Sequence, residues 1–128
     1  MPGLLAHKID PDILAKLVIN NFPRGIIVVT GTNGKTTTTA WTAHLLRQAG
    51  VSAQTAGNIG PSLLDALMQA LDANTLPQVW VVELSSFQLH DAAQLPDCDA
   101  AAITNLTPDH LDWHGSWHAY AQAKRKVL

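Results

Sequence analysis

Short unbroken apolar runs alternate along this chain with longer stretches in which apolar positions recur every three or four residues. Ile26–Thr30 is a continuous β-branched run, Val79–Leu84 and Ala100–Thr104 read as two more buried strands, and Val51–Thr55 as another. Between them the spacing predicts a helix from Lys35 to about Gln48, stopped by Gly50. A second helix follows the loop Ala56-Gly57-Asn58-Ile59-Gly60-Pro61; it carries Leu63, Leu64, Leu67, Met68 and Leu71 on a face expected in the core and ends at Asn74–Pro77. Ser116 is placed to cap a last helix running to the terminus. Upstream, Asp10 and Pro11 open a leading helix through Ile13, Leu14, Leu17 and Val18, which ends near Phe22-Pro23. Alternating strands and helices predict an α/β fold with three layers, a mainly parallel sheet carrying helices on both faces.

Composition narrows the picture. With 128 residues, 47% of them hydrophobic, the chain is expected to form one domain around one core. A net charge of −2 gives no electrostatic footprint for nucleic acid or an anionic membrane, and no apolar run approaches the ~20 residues of a membrane span. Cys98 is the only cysteine, so no intrachain disulfide is possible. The N-terminus lacks a long apolar stretch with a small-residue cleavage site, which makes the cytoplasm the default location.

The chemistry begins where the first strand ends. Thr30-Gly31-Thr32-Asn33-Gly34-Lys35-Thr36-Thr37 is a glycine-rich turn that opens a helix. Such a turn aims several backbone N–H groups and the positive end of the helix dipole at one small volume, where an anion fits. Lys35 can reach outer phosphates and the Thr36 hydroxyl is placed to ligate magnesium, so the expected cofactors are ATP and Mg2+. The general phosphate-loop pattern GxxxxGK[ST] is incomplete here, because Val29 stands where its first glycine belongs. Glu83 sits at the carboxyl end of the Val79–Leu84 run, on the sheet edge where open parallel sheets hold ligands; it can complete the magnesium coordination begun by Thr36 or cap a following helix.

Two further segments fall on that edge. Asn105-Leu106-Thr107-Pro108-Asp109-His110-Leu111-Asp112-Trp113-His114 follows the fourth strand, and a zinc site from His110, His114 and His118 competes with hydrogen-bonding roles. Gly115 and Ser116 argue against zinc, since they break the helix that would align His114 with His118. In the last helix Trp117, Tyr120, Ala121, Lys124, Val127 and Leu128 share a face, so Lys124 points inward while Arg125 faces solvent. An inward lysine is either a snorkelling stem or a functional amine with a perturbed pKa.

Taken in order, T-G-T-N-G-K-T-T, Gly57-Asn58-Ile59-Gly60, Glu83-Leu84-Ser85-Ser86-Phe87-Gln88-Leu89, the N-x-x-x-D-H-x-D pattern at Asn105–Asp112 and Tyr120-x-x-Ala123-Lys124 resemble the Mur ligase family, which builds peptidoglycan stem peptides. The E-L-S-S-F-Q-L string resembles the branch that adds D-glutamate to UDP-N-acetylmuramoyl-L-alanine. The resemblance implies that Gly31, Thr32, Asn33, Gly34, Lys35, Thr36 and Thr37 hold the nucleotide, that Asn58, Ser85 and Gln88 lie near the muramoyl substrate, and that Lys35, Glu83, His110 and Lys124 are catalytic. It further implies that Thr36 and Glu83 serve one magnesium, and that His110 and a carbamylated Lys124 serve a second. Phe87 and Leu89 are expected to pack.

The reaction so implied is an ATP-dependent amide ligation through an acyl phosphate, with residues 26–128 forming part of a central domain and residues 1–25 a leading helix and linker. The family's uridine-nucleotide and amino-acid domains do not fit in this length, so the chain alone is expected to bind ATP weakly and to lack ligase activity. An exposed sheet edge invites self-association. The alternatives are a phosphate-binding module without turnover, and the related subunit that amidates lipid II, to whose start Ile9–Leu14 is similar but whose four zinc-binding cysteines this chain lacks.

Overall fold

The computed structural model describes residues 25–93, 95 and 97–128, so the expected leading helix lies outside the described residues. The chain runs β1 (Ile26–Thr30), α1 (Lys35–Gln48), β2 (Ala53–Gly57), α2 (Leu63–Asp72), β3 (Val79–Glu83), α3 (Ser86–Asp91), β4 (Ala100–Ile103), α4 (Leu111–His114) and α5 (Trp117–Arg125). The four strands form one parallel sheet in the order β2-β3-β1-β4, with Val28 opposite Val82 on one side and Ala101 on the other.

Helices cover both faces, as expected for three layers. Val29 and Val81 pack with Ala43 of α1 on one face; Ile26, Val28, Trp80 and Val82 pack on the other with Leu67 of α2, Leu89 of α3, Ala123 of α5 and Val127 just after it. Parallel strands buried on two faces need apolar residues at every position, which Ile26–Val29 and Val79–Val82 supply. The chain leaves β1 toward β2 and later returns across β1 to β4, so the carboxyl ends of β1, β3 and β4 open onto one crevice.

Three expectations are corrected. The second strand starts at Ala53, two residues late, because α1 ends in a Schellman motif. Gly50 takes φ 79°, Gly50 N donates to Arg47 O and Val51 N to Leu46 O, so Val51 has no N–H left for a ladder. In α2, Met68 and Leu71 are 54% and 44% exposed; the helix seats itself with Ala66, Leu67 and Ala70. In α5 and the turn after it the inward residues are Tyr120, Ala123, Lys124 and Val127, whereas Trp117 and Leu128 are exposed. Among the described residues no helix is long and apolar enough to cross a membrane.

Candidate functional site

The loop after β1 is shaped by its two glycines. Gly31 has φ 143°, and a Cβ there would collide with the Thr104 side chain. Gly34 is left-handed at φ 80° and begins α1 with no side-chain cap, so the first N–H groups of the helix stay open to an external acceptor. Lys35 folds back, its Nζ donating to Thr32 O at 2.9 Å. Residues beyond β4 hold the loop from the side: Thr32 N donates to Asn105 O at 3.0 Å, and the Thr32 hydroxyl lies 2.7 Å from that of Tyr120.

Glu83 is 2% exposed at the carboxyl end of β3, and the Thr36 hydroxyl donates to its Oε2 at 3.0 Å. A hydroxyl and a buried carboxylate side by side at the mouth of a phosphate loop make a set of hard oxygen donors that suits magnesium, so Thr36 and Glu83 fit that ion. His110 sits in left-handed backbone at φ 51°; its ring packs on Phe87 with centroids 4.8 Å apart, and its Nε2 lies 3.4 Å from Asp109 Oδ2.

Lys124 does point inward, and it is 1% exposed. Its Nζ donates to Gly31 O at 2.8 Å and to Thr30 Oγ1 at 3.3 Å, and stands 5.0 Å from the centre of the Tyr120 ring. Its described polar partners are neutral. Burial therefore pushes its pKa from 10.5 down to about 8; the nearby Lys35 adds to the fall and Asp109 opposes it. A snorkelling stem would keep its amine in water, and this one does not.

A cleft of about 130 Å³ collects most of the expected site, including Gly31, Thr32, Lys35, Asn58, Ser85, His110 and Lys124. Asn33, Gly34, Thr36, Thr37 and Glu83 lie outside its lining, and so does Gln88. Gln88 Oε1 accepts from Ser85 N at 2.9 Å while Ser85 Oγ accepts from Gln88 N at 3.2 Å, a capping box that starts α3. The spacing Ser85-x-x-Gln88 was the sequence signal for this short helix. Leu89 is buried as expected, and Asn58 is held at the cleft by its N–H to Glu83 O at 2.8 Å.

The zinc alternative fails on geometry. His114 Nε2 lies 2.9 Å from Ser86 Oγ, His118 turns to Gln122, and among the described residues no three His, Cys, Asp or Glu side chains converge on a metal position. The His114–Ser86 pair is a site feature that the sequence alone did not single out. Burial, with His90 and His110 nearby, lowers the His114 pKa, and the ring sits among Phe87, Trp113 and Tyr120.

Residues 29–128 match the family model described as the Mur ligase middle domain. The chain is 58% identical over 103 residues to a UDP-N-acetylmuramoylalanine--D-glutamate ligase of Bordetella pertussis, covering 80% of this chain and 20% of that protein. Enzymes of the same name from Ralstonia nicotianae and Burkholderia mallei are 56% and 54% identical, over 88% and 90% of this chain and 22% and 23% of theirs. The chain thus spans about a fifth of the length of the curated relatives it matches.

Among solved structures, a UDP-N-acetylmuramoyl-L-alanyl-D-glutamate--2,6-diaminopimelate ligase superposes with TM-score 0.63 at 31% identity, over 87% of this chain and 26% of that one. The MurF ligase of Thermotoga maritima in complex with ADP superposes with TM-score 0.64 over 92% of this chain and 29% of that one; at 24% identity it speaks for the fold alone. A family match over a hundred residues, a span that includes the loop and cleft described above, makes this chain a member of the Mur ligase middle-domain family.

Proposed function

We propose that this chain is the ATP- and magnesium-binding part of a peptidoglycan-precursor ligase that adds D-glutamate to UDP-N-acetylmuramoyl-L-alanine in the cytoplasm. The observation that carries the reading is the pairing of the Thr36 hydroxyl with buried Glu83 beside an uncapped helix start and Lys35. Open N–H groups at Gly34 to Thr37, with the Lys35 amine, receive the outer phosphates; Thr36 and Glu83 hold the magnesium, which neutralises charge on the transferring phosphoryl group. Asn58, after β2, and Ser85, after β3, border the cleft and contact the muramoyl substrate.

In the reaction a carboxylate oxygen of the muramoyl-alanine attacks the γ-phosphorus of ATP and ADP leaves. The D-glutamate amine then attacks the acyl carbon, loses a proton, and phosphate leaves. His110 and Lys124 border the same cleft and would hold the second magnesium of that reading. The buried, easily neutralised Lys124 amine suits carbamylation, because only a neutral amine adds carbon dioxide. Ligation itself draws on the uridine-nucleotide and amino-acid parts of the longer relatives, so the chain alone forms no amide.

The test is competition. Affinity here rests on phosphate contacts, so inorganic pyrophosphate should displace ATP from the chain in the presence of magnesium and adenosine should not. Displacement by adenosine as effective as that by pyrophosphate would contradict the assignment. A phosphate-binding module without turnover is the second reading, which the folded-back Lys35 favours; hydrolysis of ATP that depends on Lys35 would exclude it.

A further inference from the structure

Asn105 grips the phosphate loop in a way the expected roles do not use. It follows β4, and three of its groups meet two consecutive loop residues. Its carbonyl oxygen accepts from Thr32 N at 3.0 Å, its Oδ1 from Asn33 N at 3.0 Å, and its Nδ2 donates to Asn33 O at 2.9 Å. The side-chain amide can take only this orientation, because Asn33 N–H requires an acceptor and Asn33 C=O a donor. Thr104 reinforces the grip, its hydroxyl donating to Asn33 O at 2.6 Å.

The consequence is a division of the loop. Main-chain N–H groups at 32 and 33 are committed to Asn105 and cannot bind an anion, whereas no backbone or side-chain acceptor takes those at Gly34, Lys35, Thr36 and Thr37 among the described residues. A loop pinned on one half presents the other half in fixed orientation before any ligand arrives, which lowers the ordering cost of binding.

We propose that Asn105 is a positioning residue for nucleotide binding: by clamping Thr32 and Asn33 it fixes the Gly34–Thr37 donors that receive the phosphates. This rests on the ATP reading above. Asn105 is exposed, so its replacement leaves the core intact.

The experiment uses the whole chain and two variants, Asn105→Ala and Asn105→Asp, with amide hydrogen exchange and magnesium-ATP titration as readouts. Alanine removes both side-chain bonds; aspartate keeps an acceptor for Asn33 N–H but turns a carboxylate oxygen toward Asn33 O. In both variants the Asn33 amide should lose at least about tenfold in protection while Val28 and Val82 keep theirs, and ATP affinity should fall about tenfold for alanine and further for aspartate. A purely structural role would shift the thermal midpoint and all amides together. Unchanged Asn33 protection in Asn105→Ala overturns the clamp, and lost protection with wild-type affinity overturns its role in binding. Failure of the wild-type chain to bind ATP would instead count against the ATP reading, and the exchange result would still decide whether the clamp exists.

Discussion

The Lys124 amine donates to the carbonyl oxygen of Gly31 at 2.8 Å, joining the last helix to the phosphate loop across 93 positions of sequence. The bond makes α5 a wall of the cleft, and it buries a cation with no carboxylate partner among the described residues.

That burial predicts a pH dependence. The folded state releases the Lys124 proton near pH 8 and the unfolded chain near 10.5, so between these values the unfolded state binds more protons. Stability should therefore rise from pH 8 to 9.5, and urea midpoints across that range should show it. In Lys124→Met the rise should vanish, whatever the variant's net stability, since Gly31 O also loses its donor. A rise of equal size in the variant would contradict the assignment.

His114 predicts the opposite end of the scale. Its pKa is lowered in the fold, so its contribution is complete above about pH 6.5 and is lost as pH falls below that value, where the unfolded state takes up the proton first. His114→Phe keeps the stacking on Phe87 and should flatten the acid limb below pH 6.5. An unchanged limb would assign the proton uptake elsewhere.

The Thr36–Glu83 pair predicts a metal effect separable from nucleotide binding. Wild-type affinity for ATP should be at least about tenfold tighter with magnesium than with chelator, and Glu83→Gln should bring that ratio close to one. The fold should survive, because glutamine keeps the size and an acceptor for the Thr36 hydroxyl. A variant with full magnesium enhancement would remove Glu83 from the site.

Gly31→Ala is expected to cost about 2–4 kcal/mol, since it combines disfavoured backbone with a collision at the Thr104 hydroxyl. Thermal and urea unfolding measure it, and a cost below about 1 kcal/mol would mean the loop adjusts freely.

Much of this architecture was legible because it is local. The β-branched run before Gly31, the helix that Gly34 opens and the Ser116 cap each depend on a few neighbouring residues, and each lies where its sequence put it. Lys124 was legible as inward from helical spacing alone. What escaped depends on competition or distance. The start of β2 yielded to a Schellman motif that claims Val51 N–H, and Met68 and Leu71 stayed in water because two alanines seat α2. The Asn105 clamp joins residues 72 apart and has no signature in either segment alone.

The central claim is that the Gly31–Thr37 loop is a working phosphate site, and calorimetric titration of the chain with ATP and magnesium beside Lys35→Ala tests it most directly. Saturable binding by the wild-type chain, lost in a variant that melts at the same temperature, is the predicted result. A folded wild-type chain that binds no ATP, or a variant that binds it equally well, would contradict the account.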